Sequence, residues 1–121
     1  MTKVAGRYYL QYGAPGSEFN AYANGTYVSD KPLGPFTYAP WNPVAYRPGG
    51  FAEGVGHGST VQDNHGNWFN SGTSWVGYNW GMERRIAIYP ARFYPDGQLN
   101  ASTRFGDWPR LVPTGRFTDP D

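Results

Sequence analysis

Glu18, Glu53 and His57 are the side chains of this sequence best suited to move protons onto and off a substrate. A pair of carboxylic groups flanking one bond is the arrangement that splits a glycosidic link. A separation of about 5 Å lets one of them attack directly, and about 6.5–9.5 Å leaves room for a water between them. Glu18 and Glu53 are two of only three glutamates, and the third is Glu83. In the alternative reading Glu18 caps its loop or pairs with Arg47, and Glu53 is solvated or bonded to backbone amides. His57 lies in Gly56-His57-Gly58-Ser59. Its neutral imidazole can ligate a metal or hold an ordered water, and near neutral pH it can act as general acid or base. It is equally a residue that buried backbone groups could satisfy. One imidazole supplies one metal ligand, so water would have to complete any coordination shell. His65, in Asn64-His65-Gly66, reads as a plain turn residue. Around these stand candidate ligand-binding residues: Tyr22, Asn79, Trp80 and Arg85. Trp80, in Tyr78-Asn79-Trp80-Gly81, is the best ring for a sugar face to stack on, with Trp41, Trp75 and Trp108 as further candidates. Trp68 lies in an aromatic strand and reads as core.

The elements that must position these groups are strands. The chain has 121 residues, enough for one domain. It carries 17 Gly, 11 Pro and 18% aromatic residues, a composition of short strands joined by tight turns. The strand signals recur. The turn Ala5-Gly6 before Arg7–Tyr12 is matched by His65-Gly66 before Trp68–Ser74, an offset of 60 residues. Gly25–Ser29 is matched by Arg85–Tyr89 at the same offset, and Lys31-Pro32-Leu33-Gly34 by Tyr94-Pro95-Asp96-Gly97. A four-stranded unit present twice predicts two propeller-type blades. The same strands would also build a small β-sandwich. The fold class is all-β: two four-stranded antiparallel blades, 1–48 with a short inner strand and 49–105, then a Pro-rich tail, 106–121. Blade topology places the loops 13–24, 48–57 and 76–83 on one face, where function usually gathers.

Composition excludes other classes. Net charge is +1 with scattered Lys and Arg, which argues against nucleic acid as a partner. Without cysteine there is no disulfide, zinc-thiolate or thiol chemistry. No apolar run reaches membrane-spanning length and no secretory leader is expected within the chain, so no membrane partner is anticipated.

Gly56-His57-Gly58-Ser59 resembles a segment of the late blades of five-bladed β-propeller glycosidases, the family 43 glycoside hydrolases and their relatives. Tyr8–Phe19 and Tyr27–Phe36 are similar to the third blade of those proteins. Glu83–Pro90 with Asp96-Gly97 resembles the outer strands of the blade that follows. The resemblance runs to about Trp108. It implies a carbohydrate ligand, arabinosides or xylosides of plant-cell-wall type, and a place for His57 near the propeller axis. An axial cation of calcium or sodium type near His57 is implied there, and no other cofactor is required. The family's base Asp, pKa-tuning Asp and acid Glu have no counterparts in this chain, which begins at Met1-Thr2-Lys3 just after the acid's expected place. The site expected here is therefore a substitute one, with Glu18, Glu53 and His57 as catalytic residues and Tyr22, Asn79, Trp80 and Arg85 as substrate contacts. The alternatives are a non-catalytic carbohydrate-binding or structural propeller fragment and a metal-dependent enzyme built from copies of His57. Two blades leave open apolar faces, which predicts a homo-oligomer, a dimer or a ring.

Overall fold

The computed structural model describes residues 1–76, 83–104 and 106–118. The described residues contain no helix. They form two four-stranded antiparallel sheets in which each strand pairs with the next in sequence. The first sheet holds β1 (Thr2–Val4), β2 (Arg7–Ala14), β3 (Ala23–Ser29) and β4 (Thr37–Tyr38). The second holds β5 (Ala52–Gln62), β6 (Trp68–Val76), β7 (Arg84–Phe93) and β8 (Leu99–Ala101). These are the two blades expected, and among the described residues no strand follows Ala101.

Turn chemistry starts each blade. Val4 pairs with Arg7 across Ala5 (φ 48°) and Gly6 (φ 84°). Positive φ at both central residues is what a two-residue hairpin needs to match strand twist. In the second blade the Asp63 carboxylate accepts the amides of His65 (2.9 Å) and Asn67 (2.8 Å), and Gly66 takes φ 83°. His65 is thus an exposed turn residue, as its Asn-His-Gly context indicates.

The repeat needs one correction. Tyr8 pairs with Ser29, whereas Trp68 pairs with Ala91. An offset of 60 in the second strand therefore becomes 62 in the third, since two more residues separate matched partners in the second blade. Thr26 thus corresponds to Ile88, and Tyr27 to Tyr89. Strand bounds differ too. The last strand of the first blade is only Thr37–Tyr38; beyond it the chain turns inward and packs Trp41, Val44 and Ala45 against the core. β5 starts at Ala52 rather than Ser59, so Glu53 and His57 are strand residues and not part of a loop.

The core lies between the sheets, where Tyr9 of the first blade and Val44 and Ala45 of the connector meet Val55, Tyr89, Ala91, Leu99 and Ala101. Trp68 packs on this cluster edge-to-face with Phe93 (4.9 Å), the core role read from its strand. The Tyr9 hydroxyl donates to the Gly97 carbonyl at 2.8 Å, fixing the first blade to the β7–β8 turn.

Candidate functional site

β5 is the strand that positions His57, and it is irregular. Glu53 pairs with Trp75, Gly56 with Thr73 and Ser59 with Ser71. At each step β5 advances three residues while β6 advances two, so the strand carries two consecutive bulges. Each bulge holds a left-handed residue, Gly54 (φ 70°) and His57 (φ 54°). Bulges re-aim side chains and concentrate beside active sites. Glycine adopts this conformation without strain, whereas an L-residue does so at a cost of about 1–2 kcal/mol. His57 is one of two non-glycine residues with positive φ among those described, the other being the hairpin residue Ala5.

Three amides on the edge of β5 away from β6 are held by the first blade and its connector. Gly54 N–H donates to the Arg47 carbonyl and Val55 N–H to the Tyr22 carbonyl, both at 2.6 Å. Gly58 N–H donates to Asn24 Oδ1 at 3.0 Å. Asn24 is fully buried, and its Nδ2 reaches Asn70 Oδ1 at 3.0 Å and the Ser71 carbonyl at 3.3 Å. Asn70 Nδ2 continues to Thr60 Oγ1 (3.0 Å) and Gln11 Oε1 (3.2 Å), and Thr60 Oγ1 donates to Gln11 Oε1 at 2.9 Å. Four polar side chains from four strands thus close one buried network across the blade junction. Such a network fixes one register, because any slip leaves its members unpaired.

Glycine clearance completes the mould. The Tyr22 ring lies directly on Gly56, and a Cβ at Gly58 would overlap the Ser71 carbonyl oxygen. A Cβ at Gly13 would stand 2.7 Å from the His57 nitrogen and 2.9 Å from the Tyr22 hydroxyl. The backbone on both sides of His57 is clamped, while its side chain is exposed and makes no hydrogen bond or ion pair with any described residue.

The expected site residues fall as follows. Tyr22 is buried; what remains beside His57 is its hydroxyl edge near Gly13. Glu53 is half-buried beside Trp75 and makes no polar contact with a described residue. Glu18 is exposed, its carboxylate folded back over Gly16. The loop bearing Glu18 meets the segment leading to Glu53, since Asn20 Nδ2 donates to the Pro48 carbonyl at 3.0 Å. Arg47 does not pair with Glu18. It forms an ion pair with Asp107 and donates to the carbonyls of Ala52 (2.8 Å) and Thr103 (2.6 Å). The Asp107 carboxylate in turn accepts the amides of Ala52 (2.8 Å) and Phe51 (3.3 Å). Burial pushes the Asp107 carboxyl up, but the Ala52 amide, the Arg47 guanidinium and the Phe51 amide outweigh it and hold the group below the usual carboxylate range. This clasp anchors the start of β5.

Arg85 is exposed at the start of β7 and pairs with its neighbour Glu83. Tyr78, Asn79 and Trp80 lie outside the described residues. The residues that bracket them, Val76 and Glu83, are joined by a backbone bond of 3.0 Å, and Val76 pairs with Ala52 beside Glu53. Trp75 is 4% exposed, Trp41 is half-buried against the core, and Trp108 is exposed. Sequence reasoning missed Asn24, Asn70 and the Arg47–Asp107 clasp. Asparagine within a strand pattern is disfavoured there, and that was the available signal for the first two.

No family profile and no curated protein matches this sequence. Solved structures do. An endo-1,4-beta-xylanase from Bacteroides thetaiotaomicron is similar with TM-score 0.74 and 28% identity, over 84% of this chain and 35% of that one. A thermostable family-43 glycoside hydrolase gives TM-score 0.79 and 24% identity over 95% of this chain and 37% of that one. A xylan beta-1,4-xylosidase from Bacillus halodurans gives 0.75 and 23% over 98% and 25%. The chain thus spans about a third or less of the length of each. The resemblance carried by the Gly56-His57-Gly58-Ser59 and Tyr8–Phe36 motifs extends to the fold: this chain has the architecture of part of a family 43 glycoside hydrolase propeller.

Proposed function

We propose a glycoside hydrolase-like function, in which the chain acts on or binds plant-cell-wall-type sugars, xylosides or arabinosides, at the end of the blade junction, with Glu18, Tyr22, Glu53 and His57 as its residues. One observation carries this reading. His57 is held at a strained backbone angle by a buried network and glycine clearance, yet its imidazole is unengaged by the described residues. Strain maintained by surrounding structure is characteristic of functional sites. The sugar class rests on the similar structures, whose names include a xylanase and a xylosidase. In the hydrolytic form Glu53 and Glu18 flank the bond and His57 orients the substrate or moves a proton.

A non-catalytic, carbohydrate-binding form has its own support: the Glu18 carboxylate is folded back over Gly16 of its own loop. A cation of calcium or sodium type at His57 belongs to the proposal only as an accessory. Among the described residues no three His, Asp or Glu side chains converge into a protein cage for it. Self-association into a dimer or ring is part of the same reading, because apolar side chains stand exposed on both outer sheet faces, Leu10 and Tyr27 on one and Ile86 and Ile88 on the other.

The test is twofold. Xylo- and arabino-oligosaccharides are titrated by calorimetry into the wild type and His57→Ala, and aryl β-D-xyloside and α-L-arabinofuranoside are offered to the wild type and Glu53→Gln. Binding weakened at least tenfold in His57→Ala supports the site. Turnover lost in Glu53→Gln supports hydrolysis, and binding without turnover supports the non-catalytic form. Absence of both binding and turnover in the folded wild type overturns the proposal.

A further inference from the structure

The blade junction inside the chain provides a template for what covers its two outer faces. With strand offsets of 60 and 62, every position buried at the junction has a counterpart on the opposite blade. Thr26, fully buried, corresponds to Ile88, which is 58% exposed. Asn24, fully buried, corresponds to Ile86, which is 82% exposed. These are the positions that the first blade turns toward the second, and that the second blade turns outward. The reverse face behaves the same way. Asn70 and Tyr89, both buried at the junction, correspond to Leu10 and Tyr27, both exposed on the outside of the first blade. Solvent-facing strand positions are ordinarily polar. Here the outward counterparts are Ile86, Ile88 and Leu10, more apolar than the buried Asn24, Thr26 and Asn70 they match, and Tyr27, which matches Tyr89 in kind.

The connectors repeat the pattern. After β4 the chain folds Trp41, Val44 and Ala45 into the junction. After β8 the tail carries Trp108, Leu111 and Val112, which are 70%, 96% and 85% exposed. The tail is nonetheless placed. Asn67 Nδ2 donates to the Gly115 carbonyl at 2.9 Å, the Phe117 amide donates to Asn67 Oδ1 at 2.7 Å, and Phe117 meets Phe69 edge-to-face at 5.7 Å. Between tail and sheet lies a groove of about 860 Å³ lined by Val61, Phe69, Ile88, Pro90 and Leu111.

We propose that the outer face of the second blade docks the outer face of the first blade of another copy of this chain, repeating between chains the operator that relates the two blades within one. The interface is heterologous, head to tail: Ile86, Ile88 and Leu111 of one copy cover Leu10 and Tyr27 of the next. Such contacts generate rings when the rotation closes. The inference rests on the self-association reading and assigns its surfaces.

Sedimentation velocity over a range of concentrations tests it with three proteins: wild type, Leu10→Glu and Ile88→Glu. The wild type is expected at twice the chain mass or more. Each variant has lost one of the two faces and is expected at the mass of a single chain. An equimolar mixture of the two variants still contains one intact pair of faces, the second blade of the Leu10→Glu copy against the first blade of the Ile88→Glu copy. It is expected to form a complex of two chains and nothing larger, which also shows that both variants are folded. A wild type that stays monomeric throughout overturns self-association itself. An associating wild type whose Leu10→Glu or Ile88→Glu variant keeps the full mass, or a mixture that stays monomeric, overturns the head-to-tail assignment.

Discussion

Replacing His57 by glycine and by alanine should reverse the ordinary order of those two residues in a strand. Within a regular strand, glycine is less stable than alanine by about 0.5–1 kcal/mol, because it loses more backbone freedom on folding. At φ 54° the comparison changes. Alanine retains a left-handed penalty of about 1–2 kcal/mol that glycine does not have. The difference leaves His57→Gly more stable than His57→Ala by about 0.5–1 kcal/mol, or roughly 2–4 °C in unfolding midpoint for a chain of this size. His57 is exposed and its side chain bonds to no described residue, so both variants lose little packing and the backbone term dominates. Urea unfolding with a common m-value reads the difference directly. Oligosaccharide binding, measured on the same samples, should be lost in both variants. Asparagine tolerates the left-handed region, so His57→Asn should keep wild-type stability and still lose binding. If His57→Ala is as stable as His57→Gly, the bulge is not held left-handed and the strain argument for the site fails.

Other perturbations address the mould around that residue. Asn24→Ala leaves Gly58 N–H and Asn70 Oδ1 unpaired in a buried place, at about 1–3 kcal/mol each, and should lower the unfolding midpoint by more than any single exposed substitution. A loss below about 0.5 kcal/mol would remove the network as the link between blades. Gly58→Ala forces a methyl group onto the Ser71 backbone carbonyl, which cannot rotate away, and should cost about 2–3 kcal/mol while weakening sugar binding. Acid should loosen the clasp at the start of β5. Asp107 is held below the usual range, so its contribution is fully present above the ordinary aspartate value near about 3.9 and is lost as pH falls through the lower folded value. The stability gap between wild type and Asp107→Asn, followed by thermal unfolding, should therefore be constant above about pH 5 and shrink below about pH 4. A gap independent of pH would contradict the assignment.

The sheets were legible in the sequence because their signals are local. Ala5-Gly6 and His65-Gly66 specify hairpins, and alternating strands on either side of each turn then fix which residues face the neighbouring blade. β5 was legible only in part. Glycine at 54, 56 and 58 reads as a loop, since glycine is depleted in strands. What makes those positions a strand is tertiary: the Tyr22 ring against Gly56, Asn24 on the Gly58 amide, and two bulges that absorb the extra residues. Arg47 was equally ambiguous. Its charge suggested the nearby Glu18, but Asp107, far along the chain, presents both carboxylate oxygens to the same loop and wins by adding two amide bonds to the ion pair.

The position of the polar network explains why the candidate site depends on both blades. Farther out, the junction is held by Tyr9, Val44, Tyr89 and Leu99, which pack with little directional preference and would tolerate a small rotation of one sheet on the other. Near β5 it is held by Gln11, Asn24, Thr60 and Asn70, whose hydrogen bonds would not. Asn24 belongs to the first blade and the amide it fixes, Gly58, follows His57 in the second. The angle at which the imidazole leaves β5 is therefore set by a residue on the other sheet. This coupling makes a specific demand on Asn24→Asp, which keeps the shape of the side chain and the acceptor for Gly58 N–H but removes the Nδ2 donor. Its carboxylate would face Asn70 Oδ1 and the Ser71 carbonyl, so the blade junction should be weakened while the bulge remains anchored. Calorimetry on that variant should find sugar binding retained at temperatures where the chain is still folded, whereas Asn24→Ala, which releases Gly58, should lose binding even when folded. Equal binding by the two variants would mean that the His57 geometry is intrinsic to β5 and owes nothing to the first blade.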